Sequence, residues 1–185
     1  MKELSLNILD VAENSVKAGA TLTEILLKEA DGVLTLTIRD DGCGMTEEQV
    51  KAVTDPFYTT RTTRSVGLGV PLLKLAAEQT DGSFTITSKA QADAPADHGT
   101  TVTATFNTAH IDFTPLGDVG ATILTLIQGH PDTDFLFSHT TPDGTVTLDT
   151  REIRAVLDGV PLNTYDVMKW MEEYLREQYL EINSK

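Results

Sequence analysis

The segment RDDGCGM, from Arg39 to Met45, places two carboxylates and two glycines within a few residues of each other. A carboxylate at the end of a strand, such as that of Asp40, can accept a hydrogen bond from an exocyclic amine. Gly42 and Gly44 have no Cβ and let the backbone pass close beneath a flat ring. The combination suits adenine, whereas the motif taken alone is more typical of an ordinary strand-to-helix turn.

A second glycine pair lies in the stretch RSVGLGV, where a loop meets the start of a predicted helix. The first N–H groups of a helix have no partner within it and carry a partial positive charge, so the segment Gly67-Leu68-Gly69 could surround a phosphate. Arg61 and Arg64 in the preceding loop could add charge near a γ-phosphate. The alternative interpretation is a flexible helix start without a ligand.

Two polar side chains, Asp10 and Asn14, share one face of the first predicted helix because they are one turn apart. Taken alone, they fit the solvent-facing stripe of an amphipathic helix. The pair Gly99-Thr100 precedes a later strand and, taken alone, fits a turn at a sheet edge. The order of the four features along the chain is more specific than any one of them.

Hydrophobic periodicity and turn residues predict the elements that position these side chains. The predicted first half consists of a helix over 3–18, a hairpin over 22–30 and 33–40, a short helix after Thr46, a loop over 54–68, a helix that begins near Pro71, and strands over 83–88 and 100–106. The predicted second half consists of a helix over 117–128, a hairpin over 134–139 and 145–149, a short helix that ends at Gly159, and a helix over 164–182.

These elements predict an α+β fold in two parts. We expect an α/β sandwich over residues 1–109 and a small α+β appendage over 110–185, whose candidate roles are partner docking and dimerisation. The last helix carries a stripe of large apolar residues that fits either a core or a docking surface: Met168, Trp170, Met171, Tyr174 and Leu175.

The bulk composition limits the classes of partner. The 185 residues carry a formal net charge of −14, which disfavours binding to nucleic acid and to anionic membrane surfaces. One cysteine excludes an internal disulfide, and the acidic N-terminal segment is unlike a signal peptide. No apolar run is long enough to cross a bilayer. We therefore expect a cytoplasmic protein.

Taken in order, these motifs resemble the GHKL ATP-binding fold shared by histidine kinases, DNA gyrase, MutL-type repair proteins and heat-shock chaperones. The resemblance covers about residues 4–107 and is closest in style to the histidine kinase-like ATPase domain. It implies a Bergerat-type α/β sandwich, with helices over a mixed sheet and ATP bound between a helix and a mobile lid.

The resemblance also implies roles for individual residues. Asn14, in LNILDVAENSVKAGA, would hold Mg²⁺, and Asp10 occupies the position of a glutamate that activates water. Asp40 matches the aspartate that binds adenine, and Asp41 fills a variable position. The segment DPFYTTR, with Phe57 and Arg61, is similar to the F box of histidine kinases. The other implied nucleotide-binding residues are Gly42, Gly44, Gly67, Leu68, Gly69 and Thr100.

Two departures from the family pattern affect the expected chemistry. Asp10 is one methylene shorter than the usual glutamate, and a general base must come within about 2.6–3.2 Å of its proton or act through one water. We therefore expect slow hydrolysis at best. Ser65 stands where many kinases have the first glycine of the phosphate loop, which predicts a stiffer loop.

Three functions fit these expectations. The first is a stand-alone kinase-like subunit that uses ATP and Mg²⁺ to phosphorylate a regulatory protein partner. The second is a nucleotide-dependent binding switch without phosphoryl transfer, and the third is a weak ATPase with Asp10 as general base. A homodimer is a candidate assembly. His110, in AHIDFTPL, is better explained as a linker histidine than as a phosphoacceptor.

Overall fold

The computed structural model describes residues 2–55 and 67–185, so that Phe57, Arg61, Arg64 and Ser65 lie outside the described residues. The described elements, in chain order, are α1 (Leu4–Lys17), β1 (Leu22–Ala30), β2 (Val33–Asp40), α2 (Glu47–Thr54), α3 (Gly69–Glu78), β3 (Phe84–Lys89), β4 (Gly99–Asn107), α4 (Val119–Gly129), β5 (Asp134–Thr141), β6 (Gly144–Asp149), α5 (Thr150–Leu157) and α6 (Tyr165–Asn183). In these ranges, no helix has the length and apolar character needed to span a membrane.

The described strands form one mixed sheet in the order β3-β4-β2-β1-β5-β6. β1 and β5 are parallel, and the other neighbouring pairs are antiparallel. The chain beyond residue 110 therefore extends the sheet of the first half through β5 and β6. The α+β class with a mixed sheet is confirmed, while the division into two domains near residue 110 stays a prediction.

Alternation along the strands gives the sheet one strongly buried face. Its apolar residues include Ile25 and Leu27 of β1, Leu36 and Ile38 of β2, and Phe137 of β5. Helices α1, α3, α4 and α6 each contact strands of this sheet. The alternate positions of β2 and β4, which are mostly threonines, form the opposite face, as expected for half-buried strands with period two.

Helix α1 is fixed at its start by the chain that follows residue 110. The N–H groups of Leu4 and Ser5 donate to the carbonyl oxygens of Pro115 (2.9 Å) and Leu116 (2.8 Å). The Thr122 hydroxyl on α4 donates to the Ser5 carbonyl at 3.2 Å. The first two bonds satisfy N–H groups that a helix start leaves unpaired. All three bonds come from the second half of the chain, which therefore helps to position the helix that carries Asn14.

Candidate functional site

Asp40 ends β2 on the helix-covered side of the sheet and is fixed by two donors. The Ser15 hydroxyl on α1 donates to Asp40 Oδ2 at 2.7 Å, and the Gly42 N–H donates to Asp40 Oδ1 at 2.9 Å. A carboxylate oxygen has two lone pairs, so each oxygen keeps capacity for one more donor. The carboxylate is therefore oriented and still able to accept a hydrogen bond from a ligand.

The sheet register places hydroxyl side chains on both sides of Asp40. Thr100 of β4 and Thr23 of β1 are its cross-strand partners. Ser88 of β3 lies beside Thr100, and their hydroxyl oxygens are 2.8 Å apart. The Thr23 hydroxyl is buried and has no hydrogen-bond partner among the residues that the structure describes. This end of the sheet is therefore a row of polar groups beside an apolar core.

A cavity of about 720 Å³ opens between α1, this end of the sheet, α2 and α3. It brings together four of the residues predicted from the sequence, namely Asn14, Asp40, Gly44 and Thr100. Its apolar lining comes from Val11, Ile38, Met45, Val53, Val70, Ile86 and Val102. A mostly apolar cavity with a few fixed polar groups is typical of a site for a small molecule or cofactor.

The glycines of RDDGCGM are each required by close backbone packing. A Cβ on Gly42 would lie 2.8 Å from the Cβ of Ala18, on the segment that follows α1. Gly44 has φ +66°, and a Cβ there would lie 1.9 Å from the Lys89 carbonyl oxygen. Since the Cys43 N–H also donates to the Ala18 carbonyl at 2.9 Å, the loop is held against α1 on one side and β3 on the other. Gly44 lines the cavity, whereas Gly42 does not line it and donates its N–H to Asp40.

The second glycine pair divides into one packed and one open position. A Cβ on Gly69 would lie 2.8 Å from the Cβ of Asp10, so the start of α3 contacts α1 directly at the residue predicted as a base. The buried Asn7 amide donates to the Gly69 carbonyl at 3.3 Å and adds to this contact. A Cβ on Gly67 would meet no atom within 4 Å, so packing within the described residues does not require a glycine there.

Within the residues that the structure describes, the N-terminus of α3 has no side-chain cap. Leu68 occupies the N-cap position without a side-chain hydrogen bond, whereas Thr46 and Asp118 cap α2 and α4 with their side chains. An uncapped helix start keeps N–H groups available for an anion. Gly67, Leu68 and Gly69 thus lie where a loop meets the start of a helix, as the sequence predicts. Gly69 is the residue that packs against Asp10.

Asp41 faces away from the cavity and has a structural role that the sequence did not indicate. Its Oδ1 accepts hydrogen bonds from the Thr21 N–H (2.8 Å) and the Leu22 N–H (3.0 Å), and its Oδ2 accepts one from the Thr21 hydroxyl. Partial burial opposes ionisation, but these hydrogen bonds outweigh it and hold the pKa of Asp41 below its usual value. Asp41 therefore secures the connection between α1 and β1.

The donor set fits a Mg²⁺ ion bound mainly through nucleotide phosphates. Mg²⁺ prefers oxygen ligands and often takes only one or two from the protein. The half-buried Asn14, whose side chain carries an amide oxygen, lines the cavity, and the exposed Asp10 lies one turn before it on α1. In the part of the chain that the structure describes, no group of three His, Cys, Asp or Glu residues forms a metal cage.

Sequence reasoning missed three residues of this site: Asn7, Ser15 and Thr23. Asn7 and Ser15 are buried polar residues on α1, and Thr23 is a buried polar residue on β1. Ser15 directly follows Asn14, and its position on the buried side of an amphipathic helix was an available signal. Asn7 contacts Gly69, and Thr23 is placed beside Asp40 by strand pairing; a single sequence offers no signal for either.

A comparison with known protein families identifies the family of this chain. A model described as "Histidine kinase-, DNA gyrase B-, and HSP90-like ATPase" matches residues 2–110, more than half of the chain. The chain belongs to this family. The resemblance inferred from the motifs is thereby confirmed, and the family supports a nucleotide as the ligand of the cavity.

Two curated relatives are kinases of Bacillus subtilis (strain 168). Sporulation kinase C is 29% identical over 90 residues, which are 49% of this chain and 21% of that protein. Sporulation kinase E is 32% identical over 90 residues, which are 48% of this chain and 12% of that protein. The chain thus spans about a fifth or less of the length of these relatives.

Two solved structures share the fold beyond the region of the family model. The N-terminal domain of a DNA repair protein has a TM-score of 0.55 at 16% identity and covers 80% of this chain and 52% of that chain. The Aquifex aeolicus MutL ATPase domain complexed with ADP has a TM-score of 0.53 at 15% identity and covers 85% and 70%. Residues 2–110 alone cannot supply 85% of this chain, so the likeness in fold extends past residue 110.

Proposed function

We propose that this chain binds ATP with Mg²⁺ in the cavity beside Asp40 and acts as a kinase-like regulatory subunit on a partner protein. The observation that carries the proposal is the Asp40 carboxylate, which is oriented by Ser15 and Gly42 in the same cavity as Asn14. An ordinary turn does not need a carboxylate that is fixed by a buried hydroxyl and faces an apolar cavity.

In this proposal the adenine amine donates to Asp40, and the ring lies against the apolar side chains of the cavity. Met45 is the last residue of the RDDGCGM segment, and Val102 and Ile86 line the sheet side of the same cavity. The phosphates extend toward the uncapped start of α3 at Gly67 to Gly69. Asn14 holds the Mg²⁺, and the bound ion would neutralise charge that develops on the phosphates.

We place the phosphoacceptor on a partner protein. The Asp112 N–H donates to His110 Nδ1 at 3.1 Å, and His110 Nε2 lies 3.7 Å from the Asp81 carboxylate. His110 therefore already has partners in the connection that follows β4. In the proposed transfer, the bond between the γ-phosphorus and the β–γ bridging oxygen breaks, a bond to the partner's acceptor atom forms, and ADP leaves.

Asp10 favours a second candidate, slow ATP hydrolysis. Its carboxylate is exposed, one turn from Asn14, and its Cβ lies against Gly69 at the start of α3. A general base at this position could act on a water beside the γ-phosphate. Its shorter side chain limits the reach, so we expect hydrolysis to be slower than transfer to the partner.

Calorimetric titration with ATP tests the binding step. A hydrogen bond to a charged group contributes about 1.5–3 kcal/mol, so Asp40→Ala should weaken ATP binding by about 10- to 150-fold. Asp143→Ala, in the exposed β5–β6 turn, is the matched control and should leave affinity unchanged. Unchanged affinity in both Asp40→Ala and Asn14→Ala would refute the nucleotide site.

Incubation with ATP labelled at the γ-phosphate separates the functions. Label on an added partner supports the kinase, and released phosphate that disappears in Asp10→Asn supports hydrolysis. Mg²⁺-dependent binding with neither label nor phosphate contradicts both and indicates a binding switch. Label on the chain itself that is lost in His110→Gln would show that placing the acceptor on a partner is wrong.

A further inference from the structure

A groove of about 690 Å³ lies between α5, β6 and α6, away from the nucleotide cavity. Leu148 of β6, Ile153 and Leu157 of α5, and Val167 of α6 form its apolar floor. Val156 stands at its edge and is 85% exposed. We refer to this feature as the α5–α6 groove.

The large apolar residues of α6 divide between core and groove. Met171 and Leu175 are buried in the core. Trp170 and Tyr174 line the α5–α6 groove, with exposures of 51% and 36%. Their rings are stacked with centroids 5.0 Å apart and planes at 10°. Exposed aromatic side chains beside an apolar groove are typical of protein contact surfaces.

Polar contacts fix α6 against the sheet beside this surface. The Gln178 side chain accepts from the Thr147 N–H and donates to the Thr147 carbonyl, both at 2.9 Å. The Tyr179 hydroxyl and His139 Nδ1 are 2.9 Å apart. Thr147 belongs to β6, which ends the sheet, so Gln178 also blocks strand addition at this position. An occupant of the α5–α6 groove must therefore fit between the helices.

The charges around the groove are acidic. At 3.6 residues per turn, the only charged residues of α6 within about 60° of Trp170 are four exposed acids, Asp166, Glu173, Glu177 and Glu181. Glu152 lines the opposite side. The two arginines of α5 are already paired: Arg151 Nη2 is 2.8 Å from Asp149 Oδ2, and Arg154 Nε is 2.7 Å from Asp134 Oδ1.

We propose that the α5–α6 groove binds an amphipathic helix of a partner protein, whose apolar side chains enter the groove and whose flanking residues are lysines and arginines. The apolar floor and the acidic rim complement those two halves of such a helix. A second copy of this chain is a poorer occupant, because each copy carries a net charge of −14. The identity of this surface as the partner's docking site rests on the proposed function.

A synthetic helix provides the probe. We choose a peptide of about 14 residues, made of leucine and lysine, with leucines at spacings of three and four so that they form one face, and a control peptide of the same composition in scrambled order. Trp170 is the only tryptophan of the chain, so its fluorescence reports directly on the groove. We expect a saturable blue shift with the amphipathic peptide, none with the scrambled one, and weaker binding at high salt.

A matched pair of variants on α6 locates the binding. Trp170→Ala should weaken binding of the fluorescein-labelled peptide at least about tenfold, whereas Leu180→Ala, which removes a 62% exposed side chain outside the groove, should change it less than about twofold. Fluorescence anisotropy measures both. Asp40→Ala should bind the peptide normally, so a failed nucleotide site and a failed groove give different results.

Three outcomes would overturn the proposal. Equal binding of the two peptides would show attraction by charge alone. Equal effects of Trp170→Ala and Leu180→Ala would place the peptide elsewhere. Sedimentation that shows a dimer dissociated by Trp170→Ala would identify a second copy as the occupant.

Discussion

The hydrogen bond between Ser15 and Asp40 offers a sharp test of the proposed adenine site. Ser15 is 3% exposed, and its hydroxyl donates to Asp40 Oδ2 at 2.7 Å. Ser15→Ala removes this donor without adding volume. A hydrogen bond to a charged group contributes about 1.5–3 kcal/mol. Since the Gly42 N–H still holds the other oxygen at 2.9 Å, we expect part of this loss, about 1 kcal/mol, to appear in ATP binding, which corresponds to about a fivefold weaker affinity.

Isothermal titration with ATP and Mg²⁺ measures this change, and Ser138→Ala is the control. Ser138 lies on β5 and points to the opposite face of the sheet from the buried Phe137, so its removal should not affect ATP affinity. In an Asp40→Ala background, Ser15→Ala should cause no further loss, because the two residues act through one contact. An additive loss in the double variant would refute the reasoning that Ser15 acts by orienting Asp40.

The glycines and Asp41 lead to two further predictions. Gly44→Ala should lower the free energy of unfolding by about 1–3 kcal/mol, because φ is +66° and the new Cβ would meet the Lys89 carbonyl. The control Gly67→Ala should change the free energy of unfolding by less than about 0.5 kcal/mol. Urea denaturation measures both changes, and equal losses in the two variants would contradict the packing argument. The folded-state pKa of Asp41 is depressed, so its stabilisation is present above the unfolded pKa of about 3.9 and is lost as the pH falls through the lower folded value. The stability difference between the wild type and Asp41→Asn, from urea midpoints, should therefore shrink below about pH 4, and a difference independent of pH would count against this role.

Local sequence signals were sufficient for the elements themselves. The hairpin predicted over 22–30 and 33–40 matches β1 and β2, and its turn residues Asp31 and Gly32 both have positive φ, as this type of tight turn requires. Thr46, which directly precedes the predicted short helix, forms a full capping box with Gln49. Such features depend on residues a few positions apart, which a single sequence displays directly.

Long-range pairing could not be predicted in the same way. β1 pairs in parallel with β5, so that Leu22 lies beside Asp134. The contact from Asn7 to Gly69 likewise joins distant segments. No pattern within either segment specifies its partner, because many strands with alternating residues could take that place in the sheet. For this reason the sequence did not predict that β5 and β6 continue the sheet that β1 to β4 form.

The burial of single residues in the apolar stripe of α6 was equally difficult to predict from the sequence. Met171 and Tyr174 are three positions apart, a spacing that usually indicates a shared face. Yet Met171 is buried, and Tyr174 lies in the groove. The boundary between core and surface on α6 depends on where β6 ends the sheet, and this is a property of the strand order.

The two acids of RDDGCGM show both what a sequence can predict and what it cannot. Asp40 is the last residue of β2, and Asp41 lies just beyond the strand. The sequence, through the family resemblance, indicated Asp40 as the acid that binds the ligand and Asp41 as a variable position. It could not predict that Asp41 binds the Thr21 and Leu22 N–H groups, because those groups come from the preceding connection. The second acid holds the turn after α1, and α1 carries the serine that orients the first acid. The two carboxylates therefore have connected roles, since one stabilises the frame in which the other is positioned.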